Sequence, residues 1–257
     1  MSPDARRILL ADADAFYVAV ARLVDPEGAG HARLLIVGGS AEGRGVVTSA
    51  SYEARAFGVH SAMPTAQAIR LCPKALVVPV PFEACVEKGR EIRRVLQQFT
   101  PVVDQASSDE FYLDMSGTER LYHDEPLAET ARRLRQAMLR ATGLTVSVGG
   151  GTSRVVAKLA AGVAKPMPGS GGSGVHVVEA GRELEFMRQF RLADIHGVGP
   201  ARLSAARSIF FIWSMAFMAR SAPAERSSRL KNSSMGGTTC HESPSIQNTS
   251  QWCPSRS

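Results

Sequence analysis

The chain has 257 residues, 44% of them hydrophobic, which is enough apolar material to build one large domain or two modest ones. Its 30 Lys and Arg against 24 Asp and Glu give a formal charge of +6, which favours polyanionic partners. The longest apolar run, Ile209 to Met218, is shorter than the roughly 20 residues of a membrane span, and the four cysteines form no CxxC pair, so we expect a cytoplasmic protein without membrane contact, zinc site or disulfide framework.

The first predicted element is a buried strand. Ile8 to Ala11 is an unbroken apolar run, and Asp12-Ala13-Asp14 follows it directly. A helix through Phe16, Val20 and Leu23 comes next. The sequence therefore places carboxylates at the C-terminal end of a buried strand.

A small module follows this helix. Leu34 to Val37 and Val46 to Ser49 are predicted to pair as strands around a glycine-rich link. Tyr52 to Phe57 is predicted to be helical and to stop at Gly58, and Pro64 suits the first turn of another short helix.

The second half of the chain alternates helices and strands. Two amphipathic helices are indicated by apolar residues at helical spacing, namely Ile92, Val95, Leu96 and Phe99, and Leu127, Ala131, Leu134, Met138 and Ala141. The predicted strands are Val102 to Ala106, Phe111 to Met115, Leu144 to Val148 and Val175 to Val178. Ser153 to Ala164 is predicted to be a helix with Ser153 as its N-cap and Lys158 on its surface.

This order of elements predicts an α+β fold. Strand, helix, strand, strand, helix, strand is typical of a ferredoxin-like antiparallel sheet, here with helices on one face and residues 24–75 inserted as the small module. Gly169 to Gly174 is a flexible link of low complexity.

Three acids stand at the ends of strands that should be neighbours: Asp12, Asp109 and Glu110. Clustered carboxylates repel one another, so such a group usually persists because a divalent cation holds it. Oxygen-only ligands favour magnesium or manganese over zinc. On a regular strand Asp109 and Glu110 would face opposite sides, so they share a site only if the hairpin turn redirects one of them. Two metals about 3.5–4 Å apart would suit a polymerase, a nuclease or a phosphatase.

Other interpretations of these residues stay open at this point. An acidic pair after Ser107-Ser108 is more often a solvated turn than a metal site. Phosphatases of the haloacid dehalogenase type also begin with a D-x-D motif after a buried strand, but they expect Thr or Val next, where this chain has Ala15. Gly149-Gly150-Gly151 lacks the spacing of a phosphate-binding P-loop.

Four segments, taken together and in order, resemble the successive motifs of the Y-family DNA polymerases. They are Ala11-Asp12-Ala13-Asp14-Ala15-Phe16-Tyr17, Ser51-Tyr52-Glu53-Ala54-Arg55-Ala56-Phe57-Gly58-Val59, Ser108-Asp109-Glu110-Phe111-Tyr112-Leu113-Asp114, and Ala157-Lys158-Leu159-Ala160 through Lys165-Pro166. The resemblance covers roughly residues 7 to 203. It implies a polymerase palm with an inserted fingers module and a helical thumb.

The resemblance also implies the metal ligands. Asp12, Asp109 and Glu110 would be the catalytic carboxylates and would bind two Mg²⁺ ions, with the Ala13 carbonyl as a further ligand. Mn²⁺ would serve as a substitute.

Four other positions are implied to bind the incoming nucleotide. Tyr17 would be the steric gate that excludes a ribose 2′-hydroxyl, with Phe16 as the neighbouring core aromatic. Tyr52 and Arg55 lie one helical turn apart and would hold the triphosphate together with Lys165.

DNA contact is implied further along the chain. Ile195-His196-Gly197-Val198-Gly199 resembles the hairpin of a helix-hairpin-helix, in which Gly197 and Gly199 would let backbone N–H groups approach a DNA phosphate. The family usually has proline where His196 stands.

By this resemblance, residues 1–23 and 76–168 form the palm, 24–75 the fingers and 175–205 a partial thumb. The pattern stops at about residue 205, and 206–257 is an unpatterned tail where a little-finger domain should follow. We therefore hypothesise that the tail is a truncated or frameshifted reading of a longer gene.

The expected function is error-prone, lesion-bypass DNA synthesis by a monomer that binds primer-template DNA and dNTPs, weakly in this short form. A sliding clamp would bind the longer form. The alternatives are a non-catalytic DNA-binding remnant and, more distantly, a nucleotidyl cyclase or phosphatase. The helix with Tyr52 and Arg55 and the hairpin with Gly197 and Gly199 argue against that last class.

Overall fold

The strands in the part of the chain that the structure describes form two separate sheets. The structure is a computed structural model that describes residues 6–166 and 172–195. One sheet has five strands in the order β5-β6-β1-β7-β8, and the other has three in the order β3-β2-β4. The strands are β1 (Ile8–Ala13), β2 (Leu35–Gly38), β3 (Val47–Ala50), β4 (Leu76–Val78), β5 (Val103–Gln105), β6 (Glu110–Asp114), β7 (Val146–Gly151) and β8 (Val175–Val177).

Helices cover and connect these strands. The α-helices are α1 (Phe16–Val24), α2 (Tyr52–Arg55), α3 (Thr65–Leu71), α4 (Phe82–Leu96), α5 (Leu127–Thr142), α6 (Arg154–Ala164) and α7 (Glu183–Met187). Short 3₁₀ turns occur at Glu119–Tyr122 and Leu192–Asp194. Pro64 immediately precedes α3, one position before the predicted first turn. Within the described ranges, no helix has the length and apolarity needed to cross a membrane.

Strand β1 is the centre of the five-stranded sheet. It pairs antiparallel with β6 on one side and with β7 on the other, and β5 pairs antiparallel with β6. These pairings confirm the predicted antiparallel sheet. Strand β8 extends it in parallel beside β7.

Helices pack against both faces of this sheet, so the prediction of helices on one face is wrong. On one face Leu9 joins the main apolar core, which includes Leu96 of α4 and Leu134 of α5. On the other face Leu10 packs with Ala161 of α6. Because successive strand residues point to opposite faces, an apolar layer on each side explains why every residue of β1 is buried.

Helix α6 approaches β7 closely because the strand has a glycine at the contact. A Cβ atom added to Gly149 would lie 2.1 Å from both the Ala157 carbonyl oxygen and the Ala161 amide nitrogen. The glycine run therefore lies inside β7, whose predicted end was Val148, and Gly149 and Gly151 are the two glycines that face α6. The predicted N-cap of α6 is confirmed, since the Ser153 hydroxyl accepts a hydrogen bond from the Val156 N–H at 3.3 Å.

The small sheet comprises most of the inserted module. Strand β2 pairs antiparallel with β3, as predicted, and parallel with β4. Residues of β2, β3, α2 and α3 share a small core that includes Ile36, Val47, Ala54 and Ala68. Leu76–Val78 completes this sheet as β4, directly after the predicted end of the module at residue 75.

Candidate functional site

Two of the predicted carboxylates meet across adjacent strands. Asp12 of β1 and Glu110 of β6 are direct partners in the antiparallel register. Side chains at such positions have Cβ atoms about 4.5–5.5 Å apart and point to the same face. By alternation this is the face of Leu10, which α6 covers. Asp12 is buried and Glu110 is half-buried.

Asp109 joins them from the turn that precedes β6. Its carbonyl oxygen accepts a hydrogen bond from the Ala13 N–H at 2.9 Å, and its carboxylate accepts one from the Ser107 hydroxyl at 2.7 Å. Because Asp109 stands before the first residue of β6, strand alternation does not force it away from Glu110. The position of Asp109 in the turn thus removes the obstacle that a regular strand would have posed.

The three acids influence one another electrostatically. Burial raises the pKa of the Asp12 carboxyl, and the nearby Glu110 and Asp109 carboxylates add to this rise, whereas Lys165 opposes it. The structure therefore brings the three predicted acids into one cluster at one end of the large sheet.

Each of the paired acids also contacts a lysine. The Lys165 ammonium lies 2.8 Å from Asp12 Oδ1, and the Lys158 ammonium contacts Glu110 Oε1. Burial by itself would lower the pKa of the Lys165 ammonium, but the Asp12 carboxylate more than offsets this and the pKa is raised. Lys158 was predicted to be an ordinary surface residue of α6. Its side chain is instead only 23% exposed and is directed at Glu110.

Tyr52 and Arg55 lie together at the edge of this cluster. The Arg55 guanidinium carbon is 5.2 Å from the centroid of the Tyr52 ring, and its Nε donates to the Ala50 carbonyl oxygen at 2.9 Å. They do share one side of α2, as their spacing predicted. Burial raises the pKa of the Tyr52 hydroxyl, and the negative charge of Asp14 adds to the rise. Helix α2 therefore lies close enough to Asp14 for this carboxylate to affect the pKa of Tyr52.

Tyr17 lies on α1 beside the turn that bears Asp109. Its hydroxyl is 2.9 Å from the Ser108 hydroxyl, and its ring meets the buried Phe16 ring edge-on with centroids 5.3 Å apart. Tyr17 also lines a cavity of about 260 Å³ together with Cys85 and Gln105. Phe16 is the core aromatic, as expected, and Tyr17 is the aromatic that reaches a surface.

Asp14 was in the predicted D-x-D motif but was given no role. It is buried, and its Oδ1 accepts a hydrogen bond from the Ser147 hydroxyl at 2.7 Å. Its Oδ2 and the Tyr52 hydroxyl are both buried without a hydrogen-bond partner among the described residues. A role for Asp14 could have been predicted from the sequence, because it is the second acid directly after a buried strand.

The donor chemistry of the cluster fits a hard divalent cation, because every candidate ligand is an oxygen atom. Within residues 6–166 and 172–195, however, no group of three or more His, Cys, Asp and Glu side chains is already arranged around a common metal position. Lysines contact two of the acids instead. Ala13 is the buried last residue of β1, next to Asp12. Gly197 and Gly199, with His196, lie outside the described residues.

Comparison with known proteins defines the class. The model of the impB/mucB/samB family matches residues 11–162, more than half of the chain. The chain belongs to this family, and the expected relationship to Y-family DNA polymerases is confirmed.

The more similar relatives are bacterial. The chain is 42% identical over 188 residues to a DNA polymerase IV of Treponema denticola, covering 73% of this chain and 45% of the relative. It is 40% identical over 196 residues to a DNA polymerase IV of Staphylococcus saprophyticus, covering 76% of this chain and 52% of the relative. The chain thus spans about half the length of the curated relatives it matches.

Solved polymerase structures share the fold. An insertion ternary complex of Dbh DNA polymerase superposes with a TM-score of 0.67 at 26% identity, covering 80% of this chain and 57% of that one. The crystal structure of DinB from Sulfolobus solfataricus superposes with a TM-score of 0.66 at 27% identity, again covering 80% of this chain and 57% of that one.

Proposed function

We propose that this chain carries the catalytic portion of a template-directed DNA polymerase of the error-prone, lesion-bypass type. It would transfer a nucleotide from a dNTP to the 3′-hydroxyl of a primer. The observation that carries the proposal is the convergence of Asp12, Asp109 and Glu110 at one end of the large sheet, with Tyr52 of the small-sheet helix beside them. Membership of the family and the names of the relatives support it.

Asp12, Asp109 and Glu110, with the Ala13 carbonyl, would hold two Mg²⁺ ions, and Mn²⁺ could replace them. When bound, such ions activate the primer hydroxyl and neutralise charge on the departing pyrophosphate. The protein's part is to fix the ligands. It does so by placing Asp12 and Glu110 in one strand register and by tying the Asp109 turn to Ala13.

The remaining residues would position the nucleotide. Arg55 is anchored through Nε, so its two terminal nitrogens can face a phosphate, and Lys165 supplies a second positive charge. Tyr52 completes this side of the site. The Tyr17 ring would lie under the sugar, and its bond to Ser108 holds it near the acids.

The two sheets correspond to separate regions of the proposed polymerase. Residues 1–23 and 79–168, which include α4, would form a ferredoxin-like palm. Residues 24–78, which include the small sheet, would form the fingers, and 175–205 part of a thumb that uses Gly197 and Gly199. The working form would be a monomer, and a longer form would also bind a sliding clamp. This polypeptide would extend primers weakly and distributively, best at low salt, where contacts with phosphates bind most strongly.

Primer extension with single dNTPs and Mg²⁺ tests the proposal. Asp109→Ala and Glu110→Ala should abolish extension and retain DNA binding. Glu129→Ala removes a carboxylate that α5 presents to Arg132, away from the cluster, and should retain extension. If the unmutated chain binds DNA and extends nothing, the chain is a non-catalytic remnant. Long processive products in physiological salt would contradict the distributive behaviour.

A further inference from the structure

Three basic residues around α6 each contact an acid of the large sheet. Arg154 contacts Asp104 at 2.7 Å, Lys158 contacts Glu110, and Lys165, just after the helix, contacts Asp12 at 2.8 Å. Two of these acids are proposed metal ligands. The pairs with Lys158 and Lys165 therefore place protein cations on carboxylates where divalent ions would bind.

The backbone of Lys158 is firmly positioned while its side chain has freedom to move. Helix α6 is held against β7 at Gly149 and is capped by Ser153. The Lys158 side chain is a flexible four-carbon stem, and about a quarter of it is exposed. Its ammonium can therefore leave Glu110 without displacing the helix.

Without a counter-charge the three acids would repel one another. Lysine suits a temporary counter-charge, because a partly exposed lysine–carboxylate pair is weak and a point charge forms no bidentate clamp. A divalent ion brings twice the charge to the same oxygen.

We propose that Lys158 is a placeholder cation: it neutralises Glu110 in the metal-free protein and is displaced when a divalent ion binds. This inference rests on the proposed function, because it requires Glu110 to be a metal ligand. Lys158 is a positioning residue in this scheme. It lowers the apparent affinity for metal and maintains the acidic cluster before substrates arrive.

The competing explanation is that Lys158 only anchors α6 to β6. The two explanations differ in their effect on metal affinity. If Lys158 competes with the ion, its removal must tighten metal binding. If it is only an anchor, its removal lowers stability and leaves metal affinity equal or weaker.

Binding of Mn²⁺ alone, without DNA or nucleotide, can be measured from the electron paramagnetic resonance signal of the free ion. Lys158→Met should bind Mn²⁺ about 10-fold more tightly than the unmutated protein, within the usual range of coupling between sites. Lys158→Arg keeps the charge and should bind no more tightly than the unmutated protein. Lys88→Met is the matched control, since Lys88 has similar exposure and contacts Glu91 at 2.7 Å outside the cluster; it should leave affinity unchanged.

Thermal unfolding gives a second measurement. Mn²⁺ should raise the melting temperature of Lys158→Met more than that of the unmutated protein, because ligand stabilisation grows with affinity. Equal or weaker Mn²⁺ binding by Lys158→Met, while the unmutated protein binds Mn²⁺ and Asp109→Ala does not, overturns the placeholder role alone. If the unmutated protein binds no Mn²⁺ in this cluster, the proposed metal site fails and the placeholder fails with it.

Discussion

Asp12 and Glu110 are direct cross-strand partners in the β1–β6 pair. Their shared face depends on register, because a slip of one residue would send one of them to the opposite face of the sheet. Any change that disturbs the packing of β1 or β7 should therefore disturb the acidic cluster as well.

Gly149→Ala should destabilise the fold by about 3 kcal/mol, because the added methyl group would overlap backbone atoms of α6 that cannot move independently. Gly162, which lies in α6 itself, is the matched control for this substitution. Nothing lies within 4 Å of a Cβ at Gly162, so Gly162→Ala should stabilise the helix by about 0.5–1 kcal/mol. Urea unfolding monitored by circular dichroism measures both changes. Equal stability of the two variants would show that β7 and α6 do not approach as closely as described.

Ser147→Ala should cost about 2 kcal/mol of unfolding free energy, because it removes the hydrogen bond to a buried carboxylate, that of Asp14. The same denaturation experiment measures it. Ser173→Ala removes an exposed hydroxyl that donates to the Val175 carbonyl oxygen, and it should change stability by less than about 0.5 kcal/mol. If Ser147→Ala lowers the free energy of unfolding no more than Ser173→Ala does, the hydrogen bond from Ser147 to Asp14 does not stabilise the fold.

Tyr17→Ala should raise incorporation of ribonucleotides relative to deoxyribonucleotides by about 10-fold or more, because the ring would no longer occupy the space of a 2′-hydroxyl. Primer extension with matched rNTP and dNTP gives the ratio. Tyr17→Phe breaks only the bond to Ser108 and should keep the selection. Unchanged sugar selection in Tyr17→Ala would remove this residue from the gate role.

The Cys85 thiol should resist alkylation at pH 8. Burial raises its pKa from 9.0 to about 11, which lowers the thiolate fraction about 100-fold. With Cys72, Cys240 and Cys253 replaced by Ser, labelling by iodoacetamide should be slow and should keep accelerating up to about pH 11. The same protein in urea should react as a free thiol does. Rapid labelling of the folded protein at pH 8 would contradict the burial.

The sequence predicts the central strand and its acids well because their signals are local. Ile8 to Ala11 is long, apolar and followed at once by Asp12, so both the burial of β1 and the place of the acid follow from the order of residues. The turn at Asp109 is similarly marked by the polar residues that precede it.

The position of α6 could not be predicted in the same way. Its apolar pattern requires a buried side, but nothing local tells which face of the sheet that side will cover, so Lys158 was taken for a surface residue. Strand β4 was missed because three residues, Leu76–Val78, are too few to show alternation and are stabilised by pairing with a strand distant in sequence.

The contact between Lys165 and Asp12 joins residues 153 positions apart. During synthesis, β1 and the Asp109 turn leave the ribosome long before this lysine does. The acids therefore have no contact with Lys158 or Lys165 until α6 and the residue after it have emerged. If β1 pairs with β6 before then, the acids lack these two counter-charges and repel one another. Lys165, the residue that follows α6, thus completes the electrostatic balance of the first strand.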